Sequence, residues 1–395
     1  MKSGSIKSQV TMLMILGLVI FIIVSLVLYL SKSAIKKQSQ QNIKKVQETA
    51  IEIQPIKEFV VKCLDKLAKD AVVLIGKQGG YIYSSQGGTL VDYSETDEGL
   101  FFVKYNDLNV AYNILPPKFV IPPYSSEIPD YPWSTFPYRT ATSNTPIFEG
   151  FFGISNIPPL NFSEGPNSIQ TQIGVFIDSN LASCIDLRIF EKQEYEIEVK
   201  PSKTSVLIAS GDLSIASKVP IKITNLATKE FAELNDFSTN VNIRLKDAYF
   251  FVKELIESDI KNIKFDISNS GNERDSFSIK HLKNVIFNED LIIVTDDKSL
   301  IHGKPLEYVI ARRNRAPAIH YLRKNTLQLP HGYIINRTNL ISNQELKADD
   351  PDEDNYTFTI TPSLPKVLDT PQIKFKVEVN DGQFSDYQVI TVNRI

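Results

Sequence analysis

Five acidic residues near the carboxyl end are the strongest candidates for metal chemistry in this sequence. Four of them, Asp349, Asp350, Asp352 and Asp354, stand in one short stretch, and Asp381 stands in a later turn. Carboxylate oxygens are the hard ligands that calcium prefers, although the stretch lacks the glycine and the closing glutamate of an EF-hand loop. Two interpretations stay open, a calcium site and a solvated acidic turn, and we expect no other cofactor.

Cys63 and Cys184 are the only cysteines of the chain. One pair is too few for a disulfide scaffold or for a zinc site of ordinary spacing, but it suits an extracytoplasmic protein. Each cysteine lies on the apolar face of a predicted helix, and two such faces meet when their helices pack in one core. We therefore predict a disulfide between Cys63 and Cys184.

Catalytic motifs are missing from the sequence. It contains no His-Glu-x-x-His, Cys-x-x-Cys or Gly-x-Ser-x-Gly, and its four histidines are scattered. They are His281, His302, His320 and His331. We therefore predict no catalytic residues and no enzyme activity, with a membrane-tethered hydrolase or sensor, its site in the middle of the chain, as the alternative from another class.

Composition limits the class of protein. With 395 residues, 42% of them hydrophobic, the chain is long enough to form two or three cores. Its 43 basic and 46 acidic residues give a net charge of −3 and no basic stripe. Since phosphate backbones attract such stripes, we expect no nucleic-acid partner.

The last part of the chain, residues 314–395, has the pattern of a small β-sandwich. Apolar residues alternate with polar ones at Tyr356, Phe358 and Ile360, and again from Ile373 to Val379. The sequence Asn380-Asp381-Gly382 is typical of the turn between two antiparallel strands. The acidic residues would thus lie at turns of this module.

The same residues resemble immunoglobulin-like and cadherin-like repeats of prokaryotic surface proteins. The resemblance rests on Asn314-Arg315-Ala316-Pro317, the acidic stretch 348–354 and the Asp-Gly turn, and it covers about a fifth of the chain. It implies an Ig-like module that contacts surface proteins or glycans. Cadherin junctions also take calcium ligands from the linker, whereas the linker here is Arg312-Arg313-Asn314-Arg315, so the resemblance implies no junctional site.

Residues 55–313 are predicted to form an α+β body rich in antiparallel strands. Apolar periodicity predicts three helices, at 55–76, 169–185 and 248–260. Short apolar runs predict strands between and after them, including two separate short strands at 213–216 and 219–223. Within this body, residues 116–159 are rich in proline and aromatic residues, and Trp133 and its neighbours either pack on the body or form a binding patch.

The amino-terminal residues 10–30, from Val10 to Leu30, contain no charged residue. A helix of that length spans the roughly 30 Å apolar core of a bilayer. We expect a leader and transmembrane helix at 1–31 and a helical stalk at 32–54. Lysines after residue 31 favour a cytoplasmic body, but the surface-type module favours the outside, and we predict a single-pass protein of the cell membrane, in contact with lipid, with an extracytoplasmic body.

The stretch Lys7-Ser8-Gln9-Val10-Thr11 resembles the start of archaeal type IV pilin-like proteins, which are cleaved just before a glutamine. The resemblance implies an archaeal source, processing between Ser8 and Gln9, and self-association through the first helix. Ser8 stands where those proteins usually have glycine, and Leu13 stands where many have glutamate. A pilin-like filament subunit is therefore an alternative.

These patterns together predict a multidomain, membrane-anchored cell-surface protein. Its fold class would be a transmembrane helix, a helical stalk, an α+β body and a C-terminal Ig-like β-sandwich. Its function would be structural or adhesive, with the Ig-like module as the binding part.

Overall fold

A computed structural model describes residues 53–116, 152–188, 195–320, 322, 324–341 and 345–395. Three predictions concern residues that lie outside these ranges. They are the span from Val10 to Leu30 with the processing site at Ser8 and Gln9, the stalk up to residue 52, and Trp133 with most of the segment 116–159.

The predicted fold class and localisation need correction. Among the described residues, no helix is long and apolar enough to cross a membrane, and no long helical stalk is present. The longest helix, α1 (Gln54–Lys77), carries charged residues such as Asp65 and Lys69 on one face and apolar residues on the other. Such a helix packs on a protein core rather than in lipid. The described residues thus contain no counterpart of the predicted transmembrane helix, and their fold is a β-rich body with a few helices.

Three further helices occur in the described ranges, α2 (Ile169–Cys184), α3 (Leu245–Lys261) and the short α4 (Arg337–Leu340). The first three helices lie where the sequence predicts them. Their buried faces explain why, because apolar residues recur at intervals of three and four. In α1 these residues are Val60, Cys63, Leu64, Leu67, Ala68 and Ala71.

Cys63 and Cys184 are disulfide-bonded, and the described residues contain no free cysteine. Both cysteines belong to helices, α1 and α2.

The described chain divides into two compact units. One consists of residues 53–62, 182–188, 195–203 and 217–237, and the other of residues 63–116, 152–181, 204–216 and the described residues from 238 onward. The sites considered below belong entirely to the second unit.

The largest sheet has six strands in the order β1-β2-β10-β9-β8, with β3 paired to β2. The strands β2 and β10 are parallel, and the other neighbours are antiparallel. Its core contains Val103, Val110, Tyr112, Leu291, Ile293, Val309 and Ala311. The strands are β1 (Phe102–Tyr105), β2 (Leu108–Leu115), β3 (Ile154–Ser155), β8 (Phe277–Ile286), β9 (Glu289–Ile301) and β10 (Lys304–Arg312).

A second sheet of four strands pairs β4, β6 and β5 in that order, with β7 on β6. Its strands are β4 (Tyr195–Val199), β5 (Lys203–Ile208), β6 (Leu213–Asn225) and β7 (Phe231–Val241). Two short strands had been expected at 213–216 and 219–223, but the alternating burial of β6 continues through both, so they form one strand.

The C-terminal region has its own sheet, in the order β12-β18-β17-β15, and two small pairs, β11 with β14 and β13 with β16. A separate hydrophobic core lies beneath it, including Phe375, Val377, Val379, Ile390 and Val392. The long strands are β12 (Thr326–Leu329), β15 (Thr357–Thr361), β17 (Gln372–Asn380) and β18 (Ser385–Arg394), and the short ones are β11 (Ala318–Ile319), β13 (Ile334–Ile335), β14 (Ala348–Asp349) and β16 (Lys366–Val367). The alternation predicted for 356–360 and 373–379 is thus that of paired strands.

Candidate functional site

A group of five buried charged residues lies where β10 leads into the C-terminal region. We call it the charge cluster, and each member exposes 3% or less of its side chain. Four structural elements supply it, namely the end of β10 and the residues after it, helix α3, the start of β9 and the acidic turn. Its members are Arg312, Arg315, Asp259, Asp290 and Asp352.

Arg312 is the last residue of β10 and contacts three carboxylates. Its Nη1 donates to Asp259 Oδ1 at 2.9 Å, and its Nη2 donates to Asp290 Oδ2 at 2.6 Å. Its Nε lies 3.1 Å from Asp352 Oδ1. One guanidinium therefore joins the main sheet, helix α3 and the acidic turn.

Arg315 lies three residues later and is fully buried. Its Nη2 is 2.7 Å from Asp352 Oδ1 and 2.9 Å from Asp259 Oδ2. The guanidinium also donates to two backbone carbonyls. Its Nη1 donates to the carbonyl of Phe152, and its Nη2 donates to the carbonyl of Pro351. The side chain is thus satisfied by both charged and neutral acceptors, as a buried guanidinium requires.

The electrostatics of the cluster are strongly coupled. Burial alone would lower the pKa of Arg312, but the charges of Asp352, Asp259 and Asp290 outweigh it and raise that pKa. Burial would also raise the pKa of Asp290, and a hydrogen bond from His281 together with Arg312 holds it below its usual range. Both groups therefore stay charged, and removing one partner would leave the other buried without compensation.

The predicted calcium ligands do not converge on one point. Asp352 is bound by the two arginines. Asp349 Oδ2 faces His320 Nε2 at 2.9 Å. Asp381 Oδ1 accepts two backbone N–H groups of its own turn, and Asp381 Oδ2 accepts from Asn314 Nδ2 at 3.1 Å.

Two oxygens of the acidic turn remain. Asp350 Oδ1 accepts the backbone N–H groups of Asp352 and Asp354, at 2.8 and 3.0 Å, and so shapes the turn. The buried Oδ2 atoms of Asp350 and Asp354 have no hydrogen-bond partner among the described residues. Within the same ranges, no group of three or more His, Cys, Asp or Glu residues is arranged to hold a metal ion.

Three carboxyl groups near the cluster have raised pKa values. Burial, helped by the charge of Asp352, raises the pKa of Asp350 to about 7. Burial and the charges of Asp352, Asp290 and Asp381 raise that of Asp354 to about 7. Burial raises the pKa of Glu289 to about 8, although its Oε2 accepts the backbone N–H of Asn314 at 3.0 Å. These groups are held partly as neutral acids near pH 7.

Sequence reasoning missed four of the five members of the cluster. The predicted roles of Arg312 and Arg315 are those of linker residues that do not bind calcium, and Arg315 is also part of the motif that opens the Ig-like module. Asp259 and Asp290 have no predicted role. A signal did exist, because Arg312 directly follows the apolar run Tyr308–Ala311 of a central strand. A charge at that place is buried and needs acidic partners.

A second candidate surface is the outer face of the C-terminal sheet. Side chains of β15, β17 and β18 that alternate with the core residues point outward, and Thr359, Glu378 and Tyr387 form one row across it. Tyr387 is 42% exposed. The Lys376 ammonium lies 4.7 Å from its ring centroid and 2.8 Å from Glu378 Oε1. The face thus combines an exposed ring with donors and acceptors.

Two comparisons with known proteins found no match. No protein-family model matches this chain, and no curated protein matches it in sequence.

Proposed function

We propose that this protein is structural or adhesive rather than an enzyme, and that its C-terminal sheet binds other proteins or glycans. The observation that carries the proposal is the charge cluster. Its charged groups bond to one another at the point where β10 enters the C-terminal region. Their role is therefore to hold the C-terminal region to the main sheet and to helix α3. A module that presents a binding surface needs such a fixed attachment.

The outer face of the C-terminal sheet is the surface that we assign to binding. Its row of Thr359, Glu378 and Tyr387 offers a hydroxyl, a carboxylate and an aromatic ring. Amphipathic rings such as tyrosine are frequent at binding surfaces because they add contact area at a low cost in conformational entropy. Both a sugar ring and a protein loop can pack on that ring and bond to its neighbours.

The experiment measures binding of the full chain to an array of defined oligosaccharides and to immobilised surface proteins. We expect saturable binding to at least one of them, and we expect Tyr387→Ala to weaken it several-fold. The matched control is Tyr333→Ala, which removes a tyrosine of the same region with a similar exposure, 37%. Absence of saturable binding, or equal losses in both variants, would contradict the proposal.

We infer that this function does not depend on calcium. The two arginines supply the positive charge that a cation would bring to Asp352. The pilin-like alternative concerns residues before 53, which lie outside the described ranges.

A further inference from the structure

A cavity of about 480 Å³ lies between helix α1 and the turn that joins β9 to β10. This volume is within the range of small-molecule sites, roughly 300–1,000 Å³. It is separate from the charge cluster and from the outer face of the C-terminal sheet. Its lining residues are Val73, Lys77, Asn106, Ile301, His302, Lys304, Pro305, Leu306 and Glu307.

The β9–β10 turn forms one wall and is tied to the helix. His302 and Gly303 both have positive φ, 50° and 77°, as a two-residue type I′ turn requires. Asparagine, aspartate or glycine is usual at the first of these positions, and here a histidine occupies it. Its Nε2 lies 3.0 Å from Asp70 Oδ1 on α1, so the unusual residue connects the turn to the helix.

The other wall is fixed by close approach of two backbones. A Cβ atom at Gly76 would lie 2.1 Å from the carbonyl oxygen of Glu307, so only glycine lets the end of α1 pack on β10 here. The next residue, Lys77, has its Nζ 3.8 Å from Glu307 Oε2. The cavity is therefore bounded by contacts on both sides.

The lining has an apolar part and a positive part. Val73, Ile301 and Leu306 contribute aliphatic surface. Lys77 and Lys304 contribute two ammonium groups against the single carboxylate of Glu307, and Lys304 makes no ion pair with any described residue. A cavity that is lined by aliphatic side chains and by a lysine without an ion pair to any described residue suits a ligand that has an apolar body and one negative charge.

We propose that this cavity binds a small carboxylic acid with an aromatic or branched aliphatic body. Its carboxylate bonds to Lys304 and Lys77, and its body packs on Val73, Ile301 and Leu306. This site goes beyond the proposed binding function, because it involves a different surface and a different class of ligand.

The test measures binding of benzoate, benzamide and inorganic phosphate to the full chain by calorimetry and ligand-observed NMR. Benzamide has the shape of benzoate without the charge, and phosphate has the charge without the ring. We expect saturable binding of benzoate, with both other compounds at least tenfold weaker. Equal binding of benzoate and benzamide, preferential binding of phosphate, or no binding of benzoate would overturn the proposal.

Lys304→Gln is the decisive variant, since Lys304 is exposed and its loss leaves the core intact. We expect it to weaken benzoate binding by about tenfold, the effect of losing one charged hydrogen bond, and to leave the melting temperature unchanged. Lys374→Gln, at an exposed lysine of β17, is the matched control and should bind benzoate like the unaltered chain. An unchanged benzoate affinity in Lys304→Gln would also refute the assignment.

Discussion

Asp352 accepts hydrogen bonds from both the side chain and the backbone of Arg315. Its Oδ2 receives the backbone N–H at 2.6 Å, and its Oδ1 receives Nη2 at 2.7 Å and Nε at 3.0 Å. Arg315 comes just after β10, and Asp352 comes before β15. This pair therefore fixes the entrance of the C-terminal region to its own acidic turn, and through Asp259 to helix α3.

Replacement of Arg315 by methionine should destabilise the protein strongly. The change leaves Asp352 and Asp259 buried with less positive charge, and breaking a buried ion pair typically costs about 3–5 kcal/mol. Urea denaturation of the full chain would measure the free energy of unfolding. Arg394→Met, at an exposed arginine of β18, is the control and should change it by less than about 0.5 kcal/mol. A loss below about 1 kcal/mol in Arg315→Met would show that the pair adds little.

Calcium should leave the melting temperature of the full chain unchanged. Of the five predicted ligands, Asp352 is bound by arginines, Asp349 by His320, and Asp381 by its own turn. Differential scanning fluorimetry with added calcium and with chelator would measure the effect. A calcium-dependent rise that disappears in Asp354→Asn would instead mean that the unpartnered oxygens of the acidic turn bind the ion.

Loss of the disulfide should lower the free energy of unfolding by about 4–5 kcal/mol in the chain-entropy model, because the bond closes a loop of about 120 residues. Denaturation of the Cys63→Ser/Cys184→Ser variant, compared with the oxidised chain, would measure this loss. Addition of reductant should affect the unaltered chain and leave the variant unchanged. Equal stability of the two proteins would mean that the bond constrains the unfolded chain little.

Local pattern was enough to locate most helices and strands. The face of α1, with Val60, Leu64 and Ala68, repeats every three or four residues along one continuous segment. The alternation of Phe375, Val377 and Val379 is equally local. Where several short runs continue the same alternation, as in β6, the sequence underestimated the length of the strand.

The charge cluster was not predictable in the same way. Asp259 and Arg312 are 53 residues apart in the chain, and Asp352 is 37 residues from Arg315. No local periodicity connects them, because only packing of α3, β9 and the acidic turn around the end of β10 brings them together. Of the predicted acidic residues, only Asp352 belongs to the cluster, and its partners there are the two arginines.

The free energy of unfolding should fall as the pH rises from about 4 to about 7. The pKa values of Asp350 and Asp354 are about 7 in the folded protein, above the ordinary value near 4. Between these values the folded state holds protons that the unfolded state has released. The contribution of these two groups to stability is therefore fully present below about pH 4 and is lost as the pH approaches 7, at up to about 1.4 kcal/mol per pH unit for each fully shifted group.

Asp350→Asn should remove part of this pH dependence and stabilise the protein at pH 8. Asparagine keeps the Oδ1 acceptor for the backbone N–H groups of Asp352 and Asp354, and it places an uncharged amide where Oδ2 has no partner. We expect a gain of roughly 1–3 kcal/mol at pH 8 and a smaller gain at pH 5, because the carboxyl group is then protonated in the folded state. Urea denaturation at both pH values would measure the difference, with the exposed Asp369→Asn as control. Equal or lower stability of Asp350→Asn at pH 8 would mean that the Asp350 carboxylate is compensated there, and that burial does not disfavour its charge.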